Sequence, residues 1–222
     1  MSIEDNELGS VQNGVSTKHI LITGTGRAGT TLLVRILAKL GLETGFSDEQ
    51  IQKAEKRIGR AGLEVNLTNT KSGDLPMVIK SPASSKILLS LLNNGRNEID
   101  IALVPVRNLR QAANSRIAVS DKAKKKGLNP SKVPGGMWKT SLPENQSWIL
   151  AEQFYSTIDM LVLNKVPIVF LHFPEFAEDE DYFFANFGMY LQNRFNFSEE
   201  EIRSAHRDEC NVDLIGNHDI NL

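Results

Sequence analysis

With 222 residues the chain is long enough to bury a full core in one domain, and its 41% hydrophobic and 23% charged residues are the proportions of an ordinary globular protein. A net charge of −2 gives no ground for a nucleic-acid partner or an anionic membrane surface, so any anion site has to be a local cluster. The single cysteine, Cys210, excludes an intramolecular disulfide and a cysteine-rich metal site, and no run approaches the ~18 apolar residues of a membrane span.

The N-terminal stretch MSIEDNELGSVQNGVSTK is polar and acidic and lacks the basic and apolar regions of a signal peptide. It predicts a disordered tail over 1–17 and a cytoplasmic location. The apolar run His19–Thr23 predicts the first buried strand, which enters the loop Gly24-Thr25-Gly26-Arg27-Ala28-Gly29-Thr30-Thr31. Leu32, Leu33, Ile36, Leu37 and Leu40 follow at helical spacing, and Gly41 ends the helix. Ser47 with Gln50 forms a capping box, so a second, charged surface helix is expected from there to about Arg60.

Met77–Lys80 reads as a brief strand, and Ser81-Pro82 opens a helix through Leu92, since proline suits the first helical position. Asp100–Val106 reads as a third buried strand closed by Arg107. The helix after it carries Ala112, Ala113, Ile117 and Val119 and fades into Lys122, Lys124, Lys125 and Lys126. Residues 127–144, with three prolines and Gly135-Gly136, make the longest internal loop, a length usually tied to function or mobility. A helix from about Asn145 to Asn164, a strand Pro167–His172 and helical segments near 179–193 and 198–207 complete the chain. Strands alternating with helices predict one α/β domain over 18–222, with a mainly parallel sheet and right-handed crossovers.

A strand, a glycine-rich turn and a helix make an anion site for a plain reason: the turn points amides inward and the helix N-terminus adds partial positive charge. The alternative is a tight turn without a ligand. Against the triphosphate-binding pattern G-x-x-x-x-G-K-[ST], Gly24 and Gly29 have the right separation and Thr31 the final hydroxyl, but Thr30 stands at the lysine position. The cation has moved to Arg27. The strand that should supply a magnesium carboxylate ends Val104-Pro105-Val106-Arg107, so no metal site is expected and a kinase or GTPase is disfavoured.

The segment Gly26-Arg27-Ala28-Gly29-Thr30-Thr31-Leu32 resembles the 5′-phosphosulfate loop of the sulfotransferases that use 3′-phosphoadenosine 5′-phosphosulfate (PAPS), with the arginine frequent in the Golgi and bacterial branches. Arg107 at a strand end with Ser115 eight residues on is similar to that family's 3′-phosphate motif, and such an arginine can clamp a phosphate with both arms of its fork. Val78-Ile79-Lys80-Ser81-Pro82 resembles its Lys-Ser/Thr segment, and Val169–Phe176 with Glu178, Asp179 and Asp181 resembles its late strand and acidic loop. The likeness runs from about residue 18 to 190. It implies a three-layer P-loop NTPase-like fold with a central, mainly parallel sheet flanked by helices.

The resemblance also implies roles. Gly26, Arg27, Ala28, Gly29, Thr30 and Thr31 would hold the 5′-phosphosulfate, Arg107 and Ser115 the 3′-phosphate, and Arg27 and Lys80 the transferring sulfuryl group. The cytosolic branch has a histidine base two residues after the lysine; here that position is Pro82. The corresponding carboxylate of some bacterial members falls at Asp48 or Glu49, with Glu43 behind them and His172 as a weaker alternative. Acids in a first helical turn also serve the helix dipole. Arg110 and Arg116 are expected to face solvent, with reach to the nucleotide as the alternative for either. Lys132–Lys139 has the flavour of the family's basic closing segment, but reads rather as a surface loop anchored by Trp138. The resulting expectation is sulfuryl transfer from PAPS, as co-substrate, to a small-molecule or carbohydrate acceptor. A P-loop kinase and a non-catalytic nucleotide binder are the alternatives.

Overall fold

A computed structural model describes residues 17–67, 74–81 and 97–210. The expected tail, apart from Thr17, and the helix after Ser81 lie outside these residues. Four strands, β1 (Thr17–Ile22), β2 (Val78–Lys80), β3 (Asn97–Val106) and β4 (Ile168–His172), form one all-parallel sheet in the order β2-β1-β3-β4. The eight helices among the described residues are α1 (Thr30–Lys39), α2 (Asp48–Glu55), α3 (Leu109–Lys125), α4 (Gln146–Leu163), α5 (Glu175–Glu178), α6 (Glu180–Phe183), α7 (Met189–Phe195) and α8 (Glu199–Glu209), with a π-turn over Phe184–Gly188. No helix among the described residues is long and apolar enough to cross a membrane.

Alternation along the strands builds a core on each face, as a parallel sheet requires. Ile20 and Ile22 of β1, with Ile101 and Leu103 of β3, join α1 and the phenylalanines of the C-terminal segment. Leu21, Ala102 and Val104 point the other way and pack with Met160 and Leu161 of α4. The register advances from His19 opposite Ile99 to Ile20 opposite Ile101, so Asp100 is an extra residue on β3. That bulge flips the facing phase, which is why Ile99 joins the α4 side although Ile101, two residues on, does not.

The capping box at Ser47 forms as the sequence predicts, with Ser47 Oγ accepting from the Gln50 amide and Gln50 Oε1 from the Ser47 amide. The helix stops at Glu55 rather than near Arg60, and the turn that follows it takes positive φ at Arg60 and Gly62. The late helical stretch is likewise broken into α6, the π-turn and α7.

At the C-terminal end Phe176 and Phe183 are wholly buried against α8, where His206 Nε2 donates to the Phe176 carbonyl at 2.7 Å. Burial holds the His206 pKa below its ordinary 6.5, partly opposed by that hydrogen bond. The unfolded chain therefore binds a proton that the folded chain resists, and stability is present above the unfolded pKa and lost as pH falls toward the folded one. The urea midpoint is expected to drop as pH falls below about 6.5, and His206→Gln to flatten part of that drop. Burial also pushes the Cys210 thiol up to about 12, so the lone cysteine is a protonated, unreactive one at neutral pH.

Candidate functional site

The chain leaves β1 for α1 on one face of the sheet and leaves β3 for α3, which packs with α4 on the other. The crevice between the ends of β1 and β3 is thus the switch point where ligands of open parallel sheets bind. Gly24–Thr31 and Arg107 both open onto it, and it widens into a cleft of about 560 Å³, a size common for small-molecule sites.

The Gly24–Thr31 loop takes four positive φ values: Gly24 at 123°, Gly26 at 69°, Arg27 at 58° and Gly29 at 85°. Three fall on glycine; the fourth falls on the arginine, where a side chain makes that backbone costly. Among the described residues, the amides of Gly24 through Thr31 donate to no backbone carbonyl. Among the described residues these amides are donors without a backbone partner, which is the condition for an anion-binding nest.

Three arginines converge behind this loop. Arg27 Nε donates to Ser115 Oγ at 3.0 Å and its Nη1 to the Gly59 carbonyl. Arg107 Nη1 donates to the Arg27 carbonyl at 3.2 Å, with its guanidinium 5.1 Å from the Phe173 ring centre. Arg116 bridges the loop to the opposite wall, donating to the Thr25 carbonyl at 2.8 Å and the Gly136 carbonyl at 2.7 Å. Burial, and then the neighbouring Arg116 and Arg107, hold the Arg27 pKa down to about 10. Burial does the same to Arg116, opposed by Glu64. Arginine resists such shifts because its charge is so stable, so the cluster marks concentrated, poorly compensated positive charge.

Lys80, at the end of β2, is 4% exposed and faces the same cleft. Its ammonium donates to Thr31 Oγ1 at 2.9 Å, to Glu64 Oε1 at 2.9 Å and to the Gly62 carbonyl. Burial lowers its pKa, and Glu64 opposes that shift. Among the described residues, eight basic side chains line the cleft against three acidic ones, in a chain whose net charge is −2. The local excess is what the bulk composition could not show.

The structure brings Gly26, Arg27, Gly29, Thr30, Thr31, Lys80, Arg107 and Ser115 to one cleft. Ala28 is wholly buried beneath the loop and does not line the cleft. Asp48 and Glu43 are placed elsewhere, in a shallow depression beside Gly41 and Phe46, and Glu49 is exposed on α2. The helix dipole accounts for Asp48 and Glu49 there. His172 is exposed and paired with Glu175, outside the residues lining the cleft. Arg110 faces solvent as expected, but Arg116 does not. It is buried, because its helix turns that side toward both the Gly-rich loop and Gly136.

The segment 127–144 is anchored by Trp138 against Ala112, Ala113 and Leu150, and it also reaches the cleft. Residues 131–138 form a wall of the cleft, pinned by Arg116, by Ser120 Oγ accepting from the Met137 amide at 2.8 Å, and by Gln146 Oε1 accepting from the Trp138 amide at 2.8 Å. Glu64 is the functional candidate that sequence reading missed. It sits in an extended stretch without periodicity, and only its pairing with buried Lys80 singles it out. No family model and no curated protein matches the chain.

Proposed function

We propose that this chain is a PAPS-dependent sulfotransferase of P-loop NTPase-like fold, acting in the cytoplasm on a hydroxyl or amine of a small-molecule or carbohydrate acceptor. The observation that carries the reading is the meeting of a loop arginine and a strand-end arginine in one cleft: Arg107 donates to the Arg27 carbonyl, and among the described residues the Gly24–Thr31 amides beside them have no backbone partner. A ligand with two separate anionic groups, a 5′-phosphosulfate and a 3′-phosphate, suits two such sites.

In this reading the amides of residues 28–31 hold the 5′-phosphate and Arg107 the 3′-phosphate. Ser115 then serves to orient Arg27. The acceptor oxygen or nitrogen attacks sulfur as the bond from sulfur to the 5′-phosphate oxygen breaks, and adenosine 3′,5′-bisphosphate leaves. Arg27 and Lys80 neutralise the departing oxygen and the transferring group, so catalysis comes mainly from position and charge. The acceptor's proton needs a base, and Asp48 lies outside the cleft. Of the three carboxylates that line the cleft among the described residues, Glu55 and Glu209 are both held by Arg35, at 3.1 and 2.7 Å. Glu64, beside Lys80, is the remaining one and takes that role.

Titration calorimetry with adenosine 3′,5′-bisphosphate, with and without magnesium, tests the reading. Binding that needs no magnesium is the expected result. Binding of ATP alone, and only with magnesium, would replace the reading with a kinase; no nucleotide binding at all would overturn it.

A further inference from the structure

An ammonium has three N–H donors and no acceptor. In the free protein all three donors of Lys80 are in use, on Thr31 Oγ1, the Gly62 carbonyl and Glu64. A ligand anion can reach this buried nitrogen only by replacing one of them. The three partners differ in how easily they leave. Gly62 presents a backbone carbonyl from a turn in which Thr31 Oγ1 also donates to it, at 3.5 Å. Thr31 stands in the first turn of α1 and is nearly buried. Glu64 is different on both counts: it is held by a side chain alone, and its carboxylate is 41% exposed while the lysine is 4% exposed. It is also the only anion of the three, so an incoming anion that replaces it leaves Lys80 with a negative partner.

We propose that Glu64 is an exchangeable counter-ion. Its carboxylate occupies the anion position on Lys80 in the free protein, and the ligand's sulfuryl or phosphoryl oxygens displace it on binding. The exchange explains how a buried lysine stays charged before a ligand arrives, since an isolated buried cation would otherwise favour its neutral form. It also ties occupancy to geometry, because Glu64 is released toward the open cleft only once an anion has taken its place. The identity of that anion as PAPS rests on the functional reading above; the exchange itself does not.

Inorganic sulfate is the probe, measured by calorimetry and by the rise of the unfolding midpoint with sulfate concentration. Glu64→Gln keeps the size and an acceptor oxygen for Lys80 but removes the competing charge. It is expected to bind sulfate on the order of tenfold more tightly than the unaltered chain, since one charge-assisted competitor is gone. The double variant Glu64→Gln/Lys80→Met is expected to lose that gain, which places it at Lys80 rather than at the arginines. If Glu64→Gln destabilises the free protein, its midpoint is expected to recover with sulfate more steeply than that of the unaltered chain. Equal or weaker sulfate binding by Glu64→Gln would overturn the proposal, as would a gain that survives loss of Lys80, or no sulfate binding by either protein. A gain at Lys80 in a protein that fails to bind PAPS leaves the exchange standing and removes the functional reading instead.

Discussion

Arg27→Ala is expected to weaken adenosine 3′,5′-bisphosphate binding by about tenfold to a hundredfold, because it removes a largely buried cation from the proposed phosphate site. The fold should survive the change. Arg27 lies among Arg107 and Arg116, and its burial and their charges already work against its ionised form. Losing it leaves the Gly59 carbonyl and the Ser115 hydroxyl short of a donor, but relieves that repulsion. The two effects oppose each other, so the unfolding midpoint is expected to move by no more than about 4 °C. Arg27→Gly separates the contributions further. It removes the charge and also the left-handed backbone cost at φ 58°, so it should be more stable than Arg27→Ala by about 1 kcal/mol and bind no better. Calorimetry and thermal unfolding on the same preparations check both halves. Bisphosphate affinity retained in folded Arg27→Ala would remove the arginine from the site.

What the sequence made legible was local. A short apolar run followed by closely spaced glycines constrains its own backbone, so β1, the Gly24–Thr31 loop and α1 could be read within a residue or two of where they lie. Arg107 was legible for the same reason: it follows directly on β3, and the end of a parallel strand is where a crevice opens. Arg116 was not, because a one-sided helix pattern says which residues are apolar and not what packs against its polar side. That side is covered by residues 131–138, an irregular stretch whose path no periodicity encodes. Glu64 failed for a related reason. Residues 61–66 have neither helical nor strand assignment, and their place beside Lys80 is fixed by long-range contacts such as the Val65 amide on the Lys80 carbonyl at 2.9 Å. Asp48 shows the opposite error: a position counted along the chain from the loop lands on a helix whose start faces away from the cleft.

Gly29→Ala is the second large effect, and it concerns stability before binding. At φ 85° a side chain is strained whatever surrounds it, at roughly 1–2 kcal/mol. Here the surroundings add to that. A Cβ on Gly29 would lie 2.5 Å from Phe176 Cζ and 2.8 Å from Phe173 Cδ2. Phe176 has little room to yield. Phe176 is wholly buried, its carbonyl is held by His206, and the two rings already pack against each other with centres 5.8 Å apart. Overpacking of this kind costs about 1–3 kcal/mol more, so the total should reach roughly 2–5 kcal/mol. Gly41 supplies the internal control: its φ is 81°, but a Cβ there meets nothing within 4 Å. Gly41→Ala should therefore show the backbone cost alone, and the difference in urea midpoint between the two variants measures the collision. Equal destabilisation would mean that the rings move aside freely. If they do not, the strain has one outlet: Phe173 also carries the Arg107 guanidinium on its face, so pushing that ring shifts the strand-end arginine. The glycine that lets the loop lie against the core is then also what sets Arg107 relative to Arg27, and a single added methyl group should displace both arginines together.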